Sequence, residues 1–348
     1  MKKTFLAILV AATLGACAKK DVISQNNEAI GFKQAFVDNS VRSVVDPSLT
    51  ADNLTDFAVY GTVENADLFN CIRVAKDITN TELSSVWKYA GTQYWIAGAK
   101  YNFAAIAPYA KGVEGAFTVA KNGEDYVGTT TLTGYENDNT DLLYAQNAQV
   151  TGATENNPQV AFTFRHTLSK VKFSFENGYN ASTATIKVYN IKIHNAYQYG
   201  DATLTVDAIN WTNQNTAKVL EFGNASDNEA TTGDKESVEV AYAFGYTYES
   251  LNEMLLIPGA ATKLAGDTNE GYKVTFDVDL LVNNTKIKTY SHVSYVNFTP
   301  VAGNSYDIKA VVDAENIDPD NEQEPIEFTV TEVEGWKDPA QQPELPLN

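Results

Sequence analysis

The stretch Tyr272-Lys273-Val274-Thr275-Phe276-Asp277-Val278-Asp279-Leu280-Leu281-Val282 places an apolar side chain at every second position, from Tyr272 to Val282, against Lys273, Thr275, Asp277 and Asp279. Successive side chains of a strand point to opposite faces, so this period of two reads as a strand with one buried side. Asn283-Asn284 follows, and because asparagine tolerates positive φ the pair predicts a turn with a second strand returning from Ile287. The same alternation recurs in Val171, Phe173 and Phe175, in Tyr306, Ile308, Ala310 and Val312, and in Ile326, Phe328 and Val330. Ile186 and Val188 lie on one face but Ile191 and Ile193 on the other, which predicts a β-bulge near Asn190. No stretch of a dozen residues holds a capped helical period, and only single turns are expected, near Leu83–Trp87 and Glu249–Met254. The expected fold is all-β, built of antiparallel β-sandwiches. With 348 residues and 44% hydrophobic residues, two domains are expected. They meet at Arg165–Ser169, a short polar link between the strand-like runs Gln159–Phe164 and Lys170–Phe175.

The N-terminus has a different grammar. Lys2 and Lys3 precede an apolar run, Phe5 to Leu14, too short to span a bilayer, and Leu14-Gly15-Ala16-Cys17 then supplies a small-residue cleavage site. The pattern predicts an export signal over 1–17 ending at a lipidated Cys17, with a polar tether over 18–27 holding the folded body to a membrane. Cys71 is the other cysteine, so no disulfide framework is available and the fold must stand on its apolar core. The formal net charge is −19, and loss of Lys2 and Lys3 with the signal takes the mature chain to −21. Such a surface is a poor partner for nucleic acid.

Catalytic and cofactor chemistry finds no foothold. His166, His194 and His292 are dispersed, without the spacing of a metal site, and no nucleophile elbow or phosphate loop is present. Asp318–Glu322 and Asn137–Asp141 carry oxygens that could ligate Ca²⁺, but the first lacks the glycine and distal glutamate of an EF-hand loop, and solvated acidic loops are the better reading. The chain is therefore read as a non-enzyme without cofactor or metal.

Five segments in order resemble the fimbrillin family, the subunits of protease-assembled (type V) pili in Bacteroidales. They are Trp87 with Tyr94-Trp95 and Tyr101-Asn102-Phe103-Ala104-Ala105-Ile106-Ala107-Pro108; Thr140–Ala145 leading to Val160–Val171; Leu255-Leu256-Ile257-Pro258; Gly303-Asn304-Ser305-Tyr306; and Val330–Trp336. The aromatics of the first segment are most simply core and rim residues. Arg165 and His166 most simply hold the hinge.

The resemblance implies two tandem transthyretin-like, Greek-key sandwich domains, over 28–167 and 168–338, followed by a proline-rich tail over 339–348. It also implies an assembly route. A protease of arginine specificity removes the first strand of an exported lipoprotein precursor, and a segment of a neighbouring subunit fills the groove by strand addition. Here Ile30, Phe32 and Phe36 would form that displaced strand. Cleavage would follow Arg42, the one of three arginines (Arg42, Arg73, Arg165) in an accessible-looking linker. Ile326, Phe328, Val330 and Trp336 would form the last or donated strand, because the prolines of the tail cannot donate ladder hydrogen bonds. Other fimbrial subunits, and a host or bacterial surface receptor or glycan, are the implied partners. A surface glycan-binding lipoprotein is the alternative, since exposed aromatics on β-sandwiches stack against sugars.

Overall fold

The computed structural model describes residues 25–37, 49, 53–77, 87–181, 184–223, 225–226, 243–250, 252–317 and 324–333. Cys17, Arg42, Trp336, the signal and the proline-rich tail lie outside the described residues.

The first half contains β1 (Gln25–Ala29), β2 (Phe32–Val37), β3 (Asp56–Val63), β4 (Ala66–Lys76), β5 (Trp87–Tyr89), β6 (Tyr94–Ile96), β7 (Lys100–Ala107), the single-turn helix α1 (Tyr109–Gly112), β8 (Gly115–Asn122), β9 (Asp125–Glu136), β10 (Leu143–Thr151) and β11 (Val160–His166). The second half contains β12 (Ser169–Asn177), β13 (Ala184–Leu204), β14 (Ile209–Gly223), β15 (Ala225–Ser226), β16 (Thr247–Ser250), β17 (Met254–Leu256), β18 (Tyr272–Val282), β19 (Thr285–Val296), β20 (Ser305–Val312), the turn α2 (Ala314–Ile317) and β21 (Phe328–Val333). The fold is all-β, as the alternation predicts.

A seven-stranded sheet runs β2-β11-β10-β7-β3-β4-β5, and β1 pairs with β6 beside it. Strands β3 and β7 occupy its middle and are buried on both faces, which is why DFAVYGTV and KYNFAAIA show no clean alternation. One face carries Phe57, Val59, Tyr101 and Phe103 into an aromatic core. The other carries Tyr60 and Ile106 against Leu132, Tyr135, Ala202 and Leu204.

In the second half the sheet β15-β16-β12-β20-β21 faces the sheet β19-β18-β13-β9-β8 across a core that includes Phe173, Phe175, Ile186, Phe222, Val274, Phe276 and Ile308. The strand β13 pairs with β18 over Ala184–Ile193 and with β9 over Tyr199–Leu204. The hairpin of β8 and β9, which precedes the expected boundary at Arg165–Ser169, thereby joins a sheet of the second half.

Local expectations meet the structure in specific ways. Asn283 and Asn284 adopt φ of 49° and 61° in the turn between β18 and β19. Asn190 adopts φ of 54° where the β13–β18 register shifts between Tyr189 and Lys192, the expected bulge. The helical turn expected at Glu249–Met254 is wrong: Glu249 and Ser250 close β16, and Met254 opens β17, because both segments pair with β12. Leu83 to Val86 lie outside the described residues, and Trp87 begins a strand. Pairing is also not wholly antiparallel, since β2 runs parallel to β11 and β12 parallel to β20.

Between β11 and β12 the chain crosses a buried polar junction. The ammonium of Lys170 lies 2.9 Å from the Glu253 carboxylate, with side chains 2% and 4% exposed. His166 Nδ1 lies 2.8 Å from Asp141 Oδ2, which also accepts the Leu49 N–H at 2.8 Å. Asn137 donates to Leu255 O at 2.7 Å, and the Leu255 N–H donates back to Asn139 Oδ1 at 2.8 Å. In loop 137–141 the side-chain oxygens Asn137 Oδ1, Asp138 Oδ1, Asn139 Oδ1 and Asp141 Oδ2 meet protein partners, and among the described residues no cluster of metal-ligating side chains occurs. Arg165 donates to Thr205 O at 2.8 Å and Trp211 Nε1 to Thr167 O at 2.8 Å, so the hinge is tied to the turn after β13 and to β14.

Two stability outcomes follow. Lys170→Met strands a buried carboxylate and is expected to cost about 3–5 kcal/mol in urea unfolding, whereas adding Glu253→Leu recovers most of that loss. His292 stacks on Phe276 at 5.2 Å, its Nε2 has no hydrogen-bond partner, and burial holds its pKa below the ordinary 6.5 despite nearby Asp277. The unfolded chain therefore takes up a proton that the folded chain refuses. Stability is full above about pH 6.5 and falls as pH drops below it. His194 shifts in the same direction through burial and the neighbouring Lys273 and Lys192. Thermal melts from pH 7.5 to 5 should show a shallower decline for His292→Phe than for the parent chain.

Candidate functional site: an edge strand over an aromatic groove

Strand β2 forms one end of the seven-stranded sheet, and β11 is its one ladder partner there. Val160 lies opposite Phe32 and Ala161 opposite Lys33, and the Val160 N–H donates to Gly31 O at 2.8 Å. Phe32 is 3% exposed. Its ring stacks on Phe162 (centroids 6.0 Å apart, 15° between planes) and meets Tyr89, Phe69 and Phe103 edge-on at 5.4, 5.7 and 6.5 Å. Full burial of one such ring is worth roughly 1.5–3 kcal/mol, and each good aromatic pair adds about 0.5–1.5 kcal/mol. Phe32 is therefore a full member of the aromatic core beneath the edge.

Ile30, 1% exposed, sits where the chain passes from the small sheet to the large one. Its N–H donates to Gln93 O at 2.8 Å, and its carbonyl accepts the Tyr89 hydroxyl at 2.6 Å. Burial pushes the Tyr89 hydroxyl above its ordinary pKa of 10, so it remains a donor at neutral pH. Upstream, the Glu28 carboxylate accepts the N–H groups of Asn156 and Asn157 at 2.8 and 2.7 Å and the Asn157 amide at 3.0 Å. Asn157 is itself fixed by exchanging two hydrogen bonds with the Ala153 backbone, at 2.7 and 3.0 Å. The segment 25–37 is thus held by two ladders, β1 on β6 and β2 on β11, by the buried Ile30 and Phe32, and by the Glu28 carboxylate.

Of the residues expected in the displaced strand, Ile30 and Phe32 come together in this core. The register shifts between Ala161 and Thr163, so that Phe36 lies opposite Thr163 and Val37 opposite Phe164. Of those expected in the last strand, Ile326 lies two residues before β21, is 2% exposed and accepts the Ser294 hydroxyl at its carbonyl. Phe328 is half-buried against Phe173, Phe175 and Phe276, and Val330 lies opposite Ile308. This strand is an edge of a different sheet from β2.

Sequence reasoning missed Glu28, Tyr89, Asn156 and Asn157. The Asn156-Asn157-Pro158 run was a visible turn signal, but nothing local reveals which carboxylate it receives. The aromatics of the first motif behave as core and rim: Trp87, Trp95, Tyr101 and Phe103 are buried, and Tyr94 is 42% exposed.

Several solved structures are similar to this chain. A provisionally named cell adhesion protein from Bacteroides uniformis is 17% identical, with 90% of this chain and 100% of that one covered and a TM-score of 0.45. The fimbrial anchor protein Mfa2 from Porphyromonas gingivalis is 15% identical, with 88% and 98% covered and a TM-score of 0.31. A provisionally named polysaccharide-binding protein from Bacteroides thetaiotaomicron is 10% identical, with 87% and 98% covered and a TM-score of 0.36. No curated protein matches the chain. The family assignment stands instead on a family profile, fimbrillin-like, that matches residues 42–336 and so takes in every motif from Trp87 to Trp336; this chain belongs to the fimbrillin-like family.

Proposed function

We propose that this chain is an exported, lipid-anchored subunit of a cell-surface fimbria, and that residues 25–37 are a removable cover over the site where a neighbouring subunit docks. The observation that carries the proposal is the position of Phe32, which sits on a sheet edge yet fills an aromatic groove. Removing 25–37 would uncover Phe69, Phe103, Phe162 and Tyr89 together with the backbone edge of β11. An open edge of that kind invites another strand. Holding it shut until the subunit reaches the surface prevents premature association.

In this reading Cys17 carries the lipid during export, the two halves of the chain act as tandem transthyretin-like sandwiches, and the acidic surface keeps monomers apart in solution. Arg42 is the cleavage point. The other two arginines lie inside paired strands. Arg73 is in β4 between β3 and β5, bound to Asp56 at 2.6 and 2.9 Å, and Arg165 is in β11 opposite Tyr144. A protease binds its substrate as an extended strand, which residues already paired in a sheet cannot supply without local unfolding.

The glycan-binding alternative draws less support. Trp87 and Trp95 are buried and Trp211 donates its indole N–H within the hinge, which leaves Tyr94, Phe244 and Tyr246 as the large exposed aromatics among the described residues. A glycan binder would stay monomeric and be retarded in polysaccharide affinity gels, whereas a fimbrial subunit should form SDS-resistant ladders.

Two measurements test the cover. Arg42→Ala should leave the precursor uncut by an arginine-specific protease, and mass spectrometry finding an intact Ile30–Arg42 segment in wild-type surface filaments would refute the cleavage. Phe32→Ala should cost the uncut chain about 3–5 kcal/mol. It should not alter the chain after cleavage, because the mutated residue departs with the cover.

A further inference from the structure

The cover and the last strand share a pattern. Residues 28–37 read Glu28-Ala29-Ile30-Gly31-Phe32-Lys33-Gln34-Ala35-Phe36-Val37, and residues 324–333 read Glu324-Pro325-Ile326-Glu327-Phe328-Thr329-Val330-Thr331-Glu332-Val333. Glutamate, isoleucine, phenylalanine and valine recur at the first, third, fifth and tenth positions. In the first segment these four positions make defined contacts or pairings: Glu28 on Asn156 and Asn157, Ile30 beside Gln93 and Tyr89, Phe32 in the groove, and Val37 opposite Phe164.

We propose that Asn156 and Asn157 form a carboxylate subsite that fixes the register of whatever strand occupies the groove, and that Glu324 is the acid through which segment 324–333 of a second copy, the strand that the family resemblance already implies is donated, engages it. The proposal rests on the removable-cover reading for its occupant, but the subsite stands on its own geometry. Asn156 adopts φ of 58°, which turns two successive N–H groups toward a single carboxylate, and the Asn157 amide adds a third donor. Such a backbone nest favours an anion, and charge-assisted hydrogen bonds are stronger than neutral ones. A β-ladder alone does not distinguish one register from the next. An acid four residues before the anchoring phenylalanine does.

The two differences that look worst for the second segment are tolerated. Pro325 would stand at the position of Ala29, which lies opposite Tyr94. The Ile30 N–H bonds to Gln93 O, one residue further along each strand, so Ala29 and Tyr94 are a non-hydrogen-bonded pair and a proline there removes no ladder bond. Glu327 would stand at Gly31, where a Cβ first meets the flexible Gln159 side chain at 3.4 Å. In its own fold Glu324 is exposed, with its backbone held by Glu315 O and the Asn316 amide.

The test uses the full chain cut after Arg42 and fluorescently labelled decapeptides, followed by anisotropy. Because only the peptides are altered, loss of binding does not reflect misfolding of the protein. Peptides 28–37 and 324–333 should both bind, and Glu28→Gln or Glu324→Gln should weaken each about 10- to 100-fold, the size expected for loss of charge-assisted bonds. Equal affinity of acid and amide peptides would overturn the subsite. Binding of 28–37 without binding of 324–333 would overturn the choice of occupant. Failure of 28–37 itself to bind would instead overturn the removable-cover reading, and the subsite is then decided on the uncut chain. There Glu28→Gln should speed hydrogen exchange of the Phe32–Val37 amides about 10- to 100-fold while those of β18 keep their rates. Unchanged exchange in Phe32–Val37 would overturn it.

Discussion

A sheet edge is a row of backbone donors and acceptors that must bond to something, and the first half of this molecule is arranged around one such row, on β11. Residues 25–37 cover that edge, with β2 paired to β11, β1 paired to β6 and Phe32 set into the aromatic core. On the proposed reading, in which 25–37 is removed, the hold of the groove on its next strand and the ease of opening it are set by the same aromatic surface. The Glu28 clamp adds direction, because it resists sliding along the edge as well as lifting from it.

The junction follows a different logic. Three of the sequence segments that resemble the family, at Thr140–Ala145 with Val160–Val171, at Leu255–Pro258 and at Gly303–Tyr306, converge there. Gly303 donates to Leu168 O, Lys170 donates to Asn304 O, Thr167 donates to Leu142 O, and Asn137 and Asn139 bracket Leu255. A buried crossing between sandwiches leaves main-chain groups that no sheet can satisfy, so side chains and turns must do it. These motifs are scaffold, selected by hydrogen-bond geometry. Lys170 and Glu253 make the crossing intolerant of single substitution, since either charge alone is costly in the interior.

How much of this could be read from the sequence depended on exposure. Strands such as β18 and β20 were legible because one face is wetter than the other and the period of two survives. Strands β3 and β7 were legible only as apolar runs, because both faces are buried. The segment Glu249–Met254 resembles a helical turn in composition, yet backbone pairing with β12 overrides that local preference. Between Lys33 and Phe36 strand β2 carries one residue more than β11 does between Ala161 and Thr163, a register shift that no simple period in the sequence announces. The carboxylate subsite was hidden for a similar reason: Glu28 and Asn157 are separated by more than a hundred residues, and a turn signal does not name its ligand.

The strand β13 has one more consequence. Its 21 residues, up to roughly 70 Å of extended chain, serve both as the partner of β18 in one region and of β9 in another. The halves of the molecule are therefore not beads on a string. Tension applied along β13 would load its lateral hydrogen bonds in shear, many at once, and would pass between the halves through continuous backbone, with no compliant linker to stretch first. A component of a surface fibre experiences drag from flowing liquid, and a shared strand of this kind makes the subunit stiff along the direction in which it is pulled.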